Sequence, residues 1–367
     1  MIDAYSDKKR SPLGIIISYT VLVLWTLITI LPLFWMGYSS LKSNEELTRN
    51  IYAFPHDLFV NKNDEYKIIN PGLGLILPGK VAENQDNYMV IESTTISPGK
   101  QLLVHYLNKS KLPENILSRK TGDKIIVNEL PGNLRRMVSW RTMVFNYRES
   151  FIRGGLSMKF INSIIYAGVS TFLMVLLSLM IGFAISKMPF PKTSAIVVGL
   201  IGLGYLISTN SVIIPLFLML TKAGLTNTRI GMILVYTAFG IPMSVLLAAQ
   251  FIKGLPDSLI ESAEIDGATT FRAFLSIIVP MTIPVIVTIS IINALGIWNE
   301  FLLVLVLASS EATKSLPVGV YSFSSLTSTQ LGWQLAALVI ATAPTMIVYF
   351  SFNRRITQGV VAGAVKE

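Results

Sequence analysis

The sequence predicts an all-α polytopic membrane protein of six transmembrane helices, with a small, mainly β domain inserted between helices 1 and 2. Three observations carry that expectation. The 367 residues are 52% hydrophobic and 14% charged, where a soluble chain carries roughly 25% charged residues. Apolar runs recur at the length of about 20 residues that crosses a hydrocarbon core. Charge is also segregated: residues 39–159 hold 17 of the 30 Lys and Arg and 12 of the 21 Asp and Glu, while no acidic residue lies between Glu149 and Asp257.

The first polar stretch contains Lys8-Lys9-Arg10 and leads into an apolar run at 13–38 that includes Pro32. A signal peptide has a shorter apolar core and a small-residue cleavage site, so this run reads as an uncleaved span with a cytoplasmic N-terminus. It belongs to a first segment, 1–58. Residues 59–145 read as the inserted domain. Tyr88–Ile91, Gln101–Leu107 and Lys124–Val127 have the composition of strands. Asn70-Pro71-Gly72, Ser97-Pro98-Gly99, Thr121-Gly122-Asp123 and Pro131-Gly132-Asn133 read as turns. The positive charge of this domain is compatible with an extracytoplasmic position, because long loops translocate largely regardless of charge.

The remaining segment, 146–367, carries spans at about 160–186, 194–220, 229–252, 281–307 and 331–352. The basic connection Lys187-Met188-Pro189-Phe190-Pro191-Lys192 is expected to be cytoplasmic. By the same count 221–228 is external, 253–280 is cytoplasmic, the loop containing Leu316-Pro317-Val318-Gly319 is external, and Arg354-Arg355 with Lys366 keep the C-terminus inside. Short cytoplasmic segments then carry ten basic residues and the two short external loops three, counting Arg229 at the edge of its span, which is the bias expected of a correctly oriented chain.

The stretch 253–280 stands apart, with Asp257, Glu261, Glu264 and Asp266 arriving within ten residues. Its grammar is helix, turn, helix. Pro256 suits a helix start, and Asp257 or Ser258 can cap the free N–H groups. Leu259, Ile260 and Ala263 recur at helical spacing. Gly267 fits the left-handed residue that ends a helix. Thr269 or Thr270 can cap a second helix through Phe271, Ala273 and Phe274, and Pro280 and Pro284 lead into the next span.

The chemistry of an enzyme is missing from the pattern. There is no cysteine, no phosphate-binding Gly-Lys-Ser/Thr loop, and neither a zinc-protease signature nor a serine nucleophile elbow. No catalytic or metal residue is therefore expected, and His56 and His105 read as unrelated surface residues. The one prominent intramembrane ionisable residue is Glu300, in Trp298-Asn299-Glu300-Phe301, in the outer half of the fifth span. Such groups line aqueous paths or bond to neighbouring spans, and the sequence leaves both readings open. Asn293, two helical turns earlier, shares its face. Asn293, Trp298, Asn299 and Glu300 are thus the candidate path residues. Pro215, Pro242 and Pro284 interrupt spans, which neighbouring helices can tolerate.

Glu261-Ser262-Ala263-Glu264-Ile265-Asp266-Gly267-Ala268, followed by Ile277-Ile278-Val279-Pro280, resembles the EAA loop of ABC importer membrane subunits. That pattern is Glu-Ala-Ala, three residues, Gly, then Ile-x-Leu-Pro; Ser262 stands for the first Ala and Val279 for Leu. Asp266-Gly267-Ala268-Thr269, Trp298-Asn299-Glu300-Phe301, Leu316-Pro317-Val318-Gly319 and Gly363-Ala364-Val365-Lys366 resemble the carbohydrate-uptake branch, and within it the maltose-transporter G-type permease. Ser40-Leu41-Lys42, Asn146-Tyr147 and Phe160-Ile161-Asn162-Ser163 also fit, so the resemblance spans about 1–58 and 145–367. The insert departs from it.

The resemblance implies the type I importer permease fold in a prokaryotic inner (plasma) membrane. It implies a second permease subunit enclosing the path, two ATPase subunits that bind ATP and Mg, an external solute-binding protein, a sugar substrate, and no cofactor in this chain. Glu261, Ser262, Ala263, Asp266, Gly267, Ala268 and Pro280 would form the ATPase-coupling surface. Ala263 would permit close approach and Gly267 the bend, and the tail around 358–366 would reach the ATPase pair. Two other readings stand beside it: a permease for a non-sugar solute, and a membrane-anchored receptor acting through 59–145.

Overall fold

The computed structural model describes residues 12–42, 44–55, 63–70, 83–94, 104–323 and 331–364. The basic residues at 8–10, His56, the turns at Pro71-Gly72 and Ser97-Pro98-Gly99, and the last three residues lie outside them. The chain forms two compact units, Met1–Ile152 with Phe323–Val339, and Arg153–Ser322 with Ile340–Glu367.

The first unit begins with α1 (Pro12–Ser39). Several of its hydroxyls bond back to their own helix, as a low-dielectric setting favours: Ser18 donates to the Gly14 carbonyl at 2.8 Å and Thr26 to that of Leu22 at 2.8 Å. The chain then turns through Ser40-Leu41-Lys42. Lys42 is buried, its Nζ donating to the carbonyls of Asn50 at 3.3 Å and Ile51 at 3.1 Å. Burial lowers its pKa, against the opposing pull of Glu46. Asn146 closes this junction by donating to the carbonyls of Ser40 at 2.8 Å and Lys42 at 2.7 Å. The Ser40 and Tyr147 hydroxyls lie 2.7 Å apart. Ser40-Leu41-Lys42 and Asn146-Tyr147, separate motifs in the sequence, form one hydrogen-bonded corner.

The insert holds a fully antiparallel four-stranded sheet in the order β3-β2-β1-β4, from β1 (Glu65–Ile69), β2 (Tyr88–Ser93), β3 (Val104–Asn108) and β4 (Lys124–Ile126). Alternation places Tyr66, Ile68, Met89, Ile91, Leu107 and Ile125 on one face. Leu134 and Val138 of α2 (Gly132–Met143) join that core. Gly122 turns at φ +103° into β4, as Thr121-Gly122-Asp123 foretold. Two sequence readings change here. Pro131-Gly132-Asn133 opens a 12-residue helix instead of a turn, so the insert mixes sheet and helix. His105 is a buried residue facing Tyr66, with ring centroids 5.6 Å apart, because its strand position falls on the core side.

The second unit is helical. α4 (Leu156–Lys187), α7 (Arg229–Lys253) and α10 (Ile283–Asn299) form its centre, with α3 (Phe145–Arg153) preceding them in the first unit. A Cβ at Gly182 would lie 3.0 Å from the Ala249 nitrogen and 3.1 Å from the Ala248 Cβ, so this glycine sets the close crossing of α4 and α7. Among the described residues, four helices are long and apolar enough to cross a membrane, Gly14–Ser39, Leu156–Lys187, Arg229–Lys253 and Leu331–Phe352, or up to six if each of two bent pairs is one span.

Those two pairs depart from straight spans. The apolar run at 194–220 is α5 (Pro191–Leu206) and α6 (Ile213–Lys222) with an 84° bend. The polar run Ser208-Thr209-Asn210-Ser211 breaks it. The run at 281–307 is also divided. A helical stretch Thr270–Met281 bends by 73° into α10, which ends at Glu300, in extended conformation. A separate helix, α11 (Leu302–Leu307), follows. Glu300 therefore sits at a helix break and not inside a continuous span. The chain ends in α12 (Leu316–Tyr321) and α13 (Leu331–Ala364).

Candidate functional site

The segment after α7 folds as two short helices around one glycine. α8 (Ser258–Ile265) is closed by paired backbone bonds. The Ala268 N–H donates to the Ala263 carbonyl at 2.9 Å and the Gly267 N–H to that of Glu264 at 3.0 Å. This is the Schellman arrangement, which needs a left-handed residue at its turn; Gly267 supplies it at φ +73°. Thr269 then caps α9 (Thr270–Ala273), its hydroxyl accepting from the Arg272 N–H at 3.3 Å. A wide π-helical turn, Phe274–Ile278, precedes Pro280, which has no N–H to return to the preceding turn.

The burial of α8 is one-sided. Ala263 is buried, while Glu261, Ser262, Glu264, Asp266 and Gly267 are exposed and Ala268 is half-buried. Ser262 bonds back to the Ser258 carbonyl at 2.7 Å. On the inner side, Leu255 and Ile260 pack on a core of Leu179, Phe183, Ala248, Ile252, Phe274 and Ile278. On the outer side, Ile265 is 86% and Phe271 63% exposed. The result is a stiff helix fixed from below by apolar packing, presenting acids and the bare Ile265, with Phe271 bare on the neighbouring α9.

Asp257 does not cap α8 through its side chain. Its carboxylate is taken by the Lys187 ammonium. Lys187 ends α4, is 4% exposed at its side chain, and also donates to the Leu255 carbonyl at 2.6 Å. In the sequence this lysine reads only as a topological charge. Its partner lies 70 residues away, and no local pattern could pair them.

The four candidate path residues do not share one surface. Asn293 and Glu300 both face α7. Asn293 Nδ2 donates to Ser244 Oγ at 3.0 Å, and the Tyr236 hydroxyl donates to Glu300 Oε2 at 3.0 Å. Glu300 Oε1 accepts the Leu303 N–H at 2.8 Å, which caps α11. Trp298 turns the other way: Nε1 donates to the Ala341 carbonyl at 3.0 Å and the ring meets Phe160 edge-on at 5.5 Å. Asn299 is exposed and bonds back to the Leu295 carbonyl at 2.8 Å.

A second polar cluster surrounds the start of α4. Asn162 is fully buried. Its Nδ2 donates to the carbonyls of Ala312 at 2.8 Å and Lys314 at 2.9 Å, and its Oδ1 accepts from Arg229 Nε at 2.9 Å. Ser163 Oγ accepts the Leu316 N–H at 2.9 Å, and the Tyr166 hydroxyl donates to the Thr313 carbonyl at 2.7 Å. Asn227, left-handed at φ 62°, accepts from Ser310 N at 2.8 Å and Thr313 Oγ1 at 2.7 Å. The buried Lys159 pairs with Glu311 at 2.7 Å. Hydrogen bonds from Lys159 and Lys314 hold the Glu311 carboxyl below the usual carboxylate range. The motifs Phe160-Ile161-Asn162-Ser163 and Leu316-Pro317-Val318-Gly319 are thus two sides of one contact. Among the described residues no group of three or more His, Cys, Asp or Glu is placed to hold a metal ion.

Residues 151–361, which contain both clusters and the α8 segment, match the binding-protein-dependent transport system inner membrane component family. The chain belongs to that family. Its members are membrane-embedded ABC transporter permeases, transport subunits that leave ATP hydrolysis to separate subunits. The diacetylchitobiose uptake system permease protein NgcG of Streptomyces coelicolor is 34% identical over 223 residues, 60% of this chain and 74% of that protein. The trehalose transport system permease protein SugB of Mycobacterium tuberculosis is 33% identical over 231 residues, 61% of this chain and 83% of that protein. A chain in the crystal structure of a bacterial ABC transporter that imports the acidic polysaccharide alginate superposes with a TM-score of 0.59. It covers 95% of this chain and 98% of its own length at 14% identity, a likeness of fold alone. The family match and that superposition together give the type I importer permease fold.

Proposed function

We propose that this chain is one of two permease subunits of an ATP-driven importer, and that the pair encloses the path for a sugar delivered by an extracytoplasmic binding protein. In this reading the chain crosses the inner membrane six times, each bent pair being one span, with both termini cytoplasmic and the insert outside. The observation that carries it is the α8 segment. A helix fixed beneath by Ile260 and by Leu255 of the preceding link, closed by Gly267 and bare at Ile265, with Phe271 bare on the adjoining α9, is built to be gripped by a partner and to pass its movement into the bundle.

Glu261, Ser262, Asp266, Gly267, Ala268 and Pro280 form the surface and turn that dock on an ATPase subunit, where ATP and Mg reside; Ala263, expected to permit close approach, is instead buried on the inner side of the helix. Of the path candidates, Asn293, Trp298 and Glu300 are engaged in holding helices together, and Asn299 is the one whose exposure suits an aqueous path. The sugar class is supported by the uptake systems of the relatives named above.

Substitution of Gly267 tests the reading. Its φ of +73° costs a bulky residue about 1–2 kcal/mol and twists the turn. Gly267→Leu is expected to abolish uptake and detach ATP hydrolysis from transport while the permease pair still assembles. Unchanged uptake would overturn the assignment of 253–280.

A further inference from the structure

We propose that Lys187 is the residue that positions the α8 helix, making α4 a rigid strut whose displacement reaches α8 without being absorbed by the intervening loop. The inference rests on the docking reading of 253–280 and names the contact inside this chain that makes it work.

Three observations point to it. First, an ammonium is costly to bury unless its donors are met, yet the Lys187 side chain is 4% exposed. Its Nζ engages the Leu255 carbonyl at 2.6 Å and the Asp257 carboxylate. These two residues flank Pro256, which cannot be reached through its nitrogen, so one cation grips the stiffest point of the link between α7 and α8. Second, the end of α4 is held on other sides as well. Ser186 Oγ donates to the Ala249 carbonyl at 3.1 Å, Phe183 meets Phe274 with centroids 5.3 Å apart, and Gly182 admits the α7 backbone.

Third, the other end of the same 32-residue helix, about 48 Å away at the usual rise, is stitched to the 310–316 loop through Lys159, Asn162, Ser163 and Tyr166. One helix therefore holds both the loop before α12 and the base of α8, and Lys187 is its final link.

The test uses the whole transporter, reconstituted with its second permease, ATPase subunits and binding protein, with hydrolysis read as release of inorganic phosphate from ATP. Lys187→Met is expected to lower the maximal rate roughly three- to tenfold, the scale of losing one partly screened ion pair and its carbonyl contact, at unchanged KM for ATP. Lys187→Arg, which keeps the donors, is expected to restore it to within about twofold. Asp257→Asn leaves the Leu255 bond in place and should give a smaller fall of the same kind, which keeps the test open if Lys187→Met does not assemble. Full activity in both Lys187→Met and Asp257→Asn overturns the proposal, as does full activity in Asp257→Asn when Lys187→Met fails to assemble. Gly267→Leu run in parallel separates the two ideas. If Gly267→Leu hydrolyses ATP at a rate that the binding protein no longer changes while the Lys187 and Asp257 variants are fully active, only the strut fails; if its hydrolysis still responds to the binding protein as in the parent, the docking assignment fails.

Discussion

Tyr236 and Glu300 meet between α7 and the end of α10, the hydroxyl donating to Oε2 at 3.0 Å while Oε1 takes the Leu303 N–H at 2.8 Å. Tyr236 is buried. One carboxylate thus marks the end of α10, caps α11 and fastens the break to α7. Of the two roles the sequence left open for Glu300, this geometry supports the hydrogen bond to a neighbouring helix.

Removing that acceptor leaves a buried hydroxyl and a backbone N–H without partners, each costing about 1–3 kcal/mol. Glu300→Ala is therefore expected to lower the thermal midpoint of the purified protein in detergent by several degrees. Glu300→Gln, which retains one carbonyl oxygen, should lose less than half as much. An alanine variant as stable as the parent would remove the structural role.

Asn162 satisfies three groups from two other segments. Asn162→Leu keeps the branched outline of the side chain, is bulkier, and has none of the polar atoms. It should destabilise the protein by about 2–4 kcal/mol and speed hydrogen exchange at Leu316 and its neighbours. Asn162→Asp keeps the Arg229 contact and loses both donated bonds, so its loop should exchange faster while Arg229 stays ordered. Exchange at the parent rate in both variants would show that the loop is held by other contacts.

Glu311 gives a pH dependence with a definite sign. Lys159 and Lys314 lower its pKa below the ordinary 4.5. The folded state therefore binds this proton less readily than the unfolded state, and the pair stabilises above about pH 4.5, fading as pH falls through the lower folded value. Glu311 is 70% exposed, so screening limits the effect to about 0.5 kcal/mol. A Glu311→Gln variant should match the parent in thermal midpoint at the acid limit and fall below it at neutral pH. Equal curves at every pH would mean the pair contributes nothing measurable.

What was legible in the sequence is what is decided within a few residues. Gly267 and Thr269 were readable as stop and start because a left-handed turn and an N-cap each involve neighbours two to five positions apart. The long apolar runs were readable because hydropathy adds along a helix. The same averaging hid the interruptions: Ser208-Thr209-Asn210-Ser211 disappears within a window of apolar residues, yet the chain bends by 84° there. Glu300 looked like a charge inside a span because a helix end capped from within leaves no local mark. Asp257 or Ser258 suits the cap by position, yet the Asp257 carboxylate goes to an ammonium from another helix. In the insert, Pro-Gly-Asn read as a turn, while packing of Leu134 and Val138 against the sheet extended it into a helix.

The Gly267 turn has a further consequence. Its carbonyls and amides are paired inside the segment, Ala268 to Ala263 and Gly267 to Glu264, so α8 owes none of its shape to whatever it meets. A partner that closes on it orders little that was not already ordered, and the entropy lost on docking is correspondingly small. A given contact area on α8 therefore yields more affinity than the same area on a loop that must first be ordered.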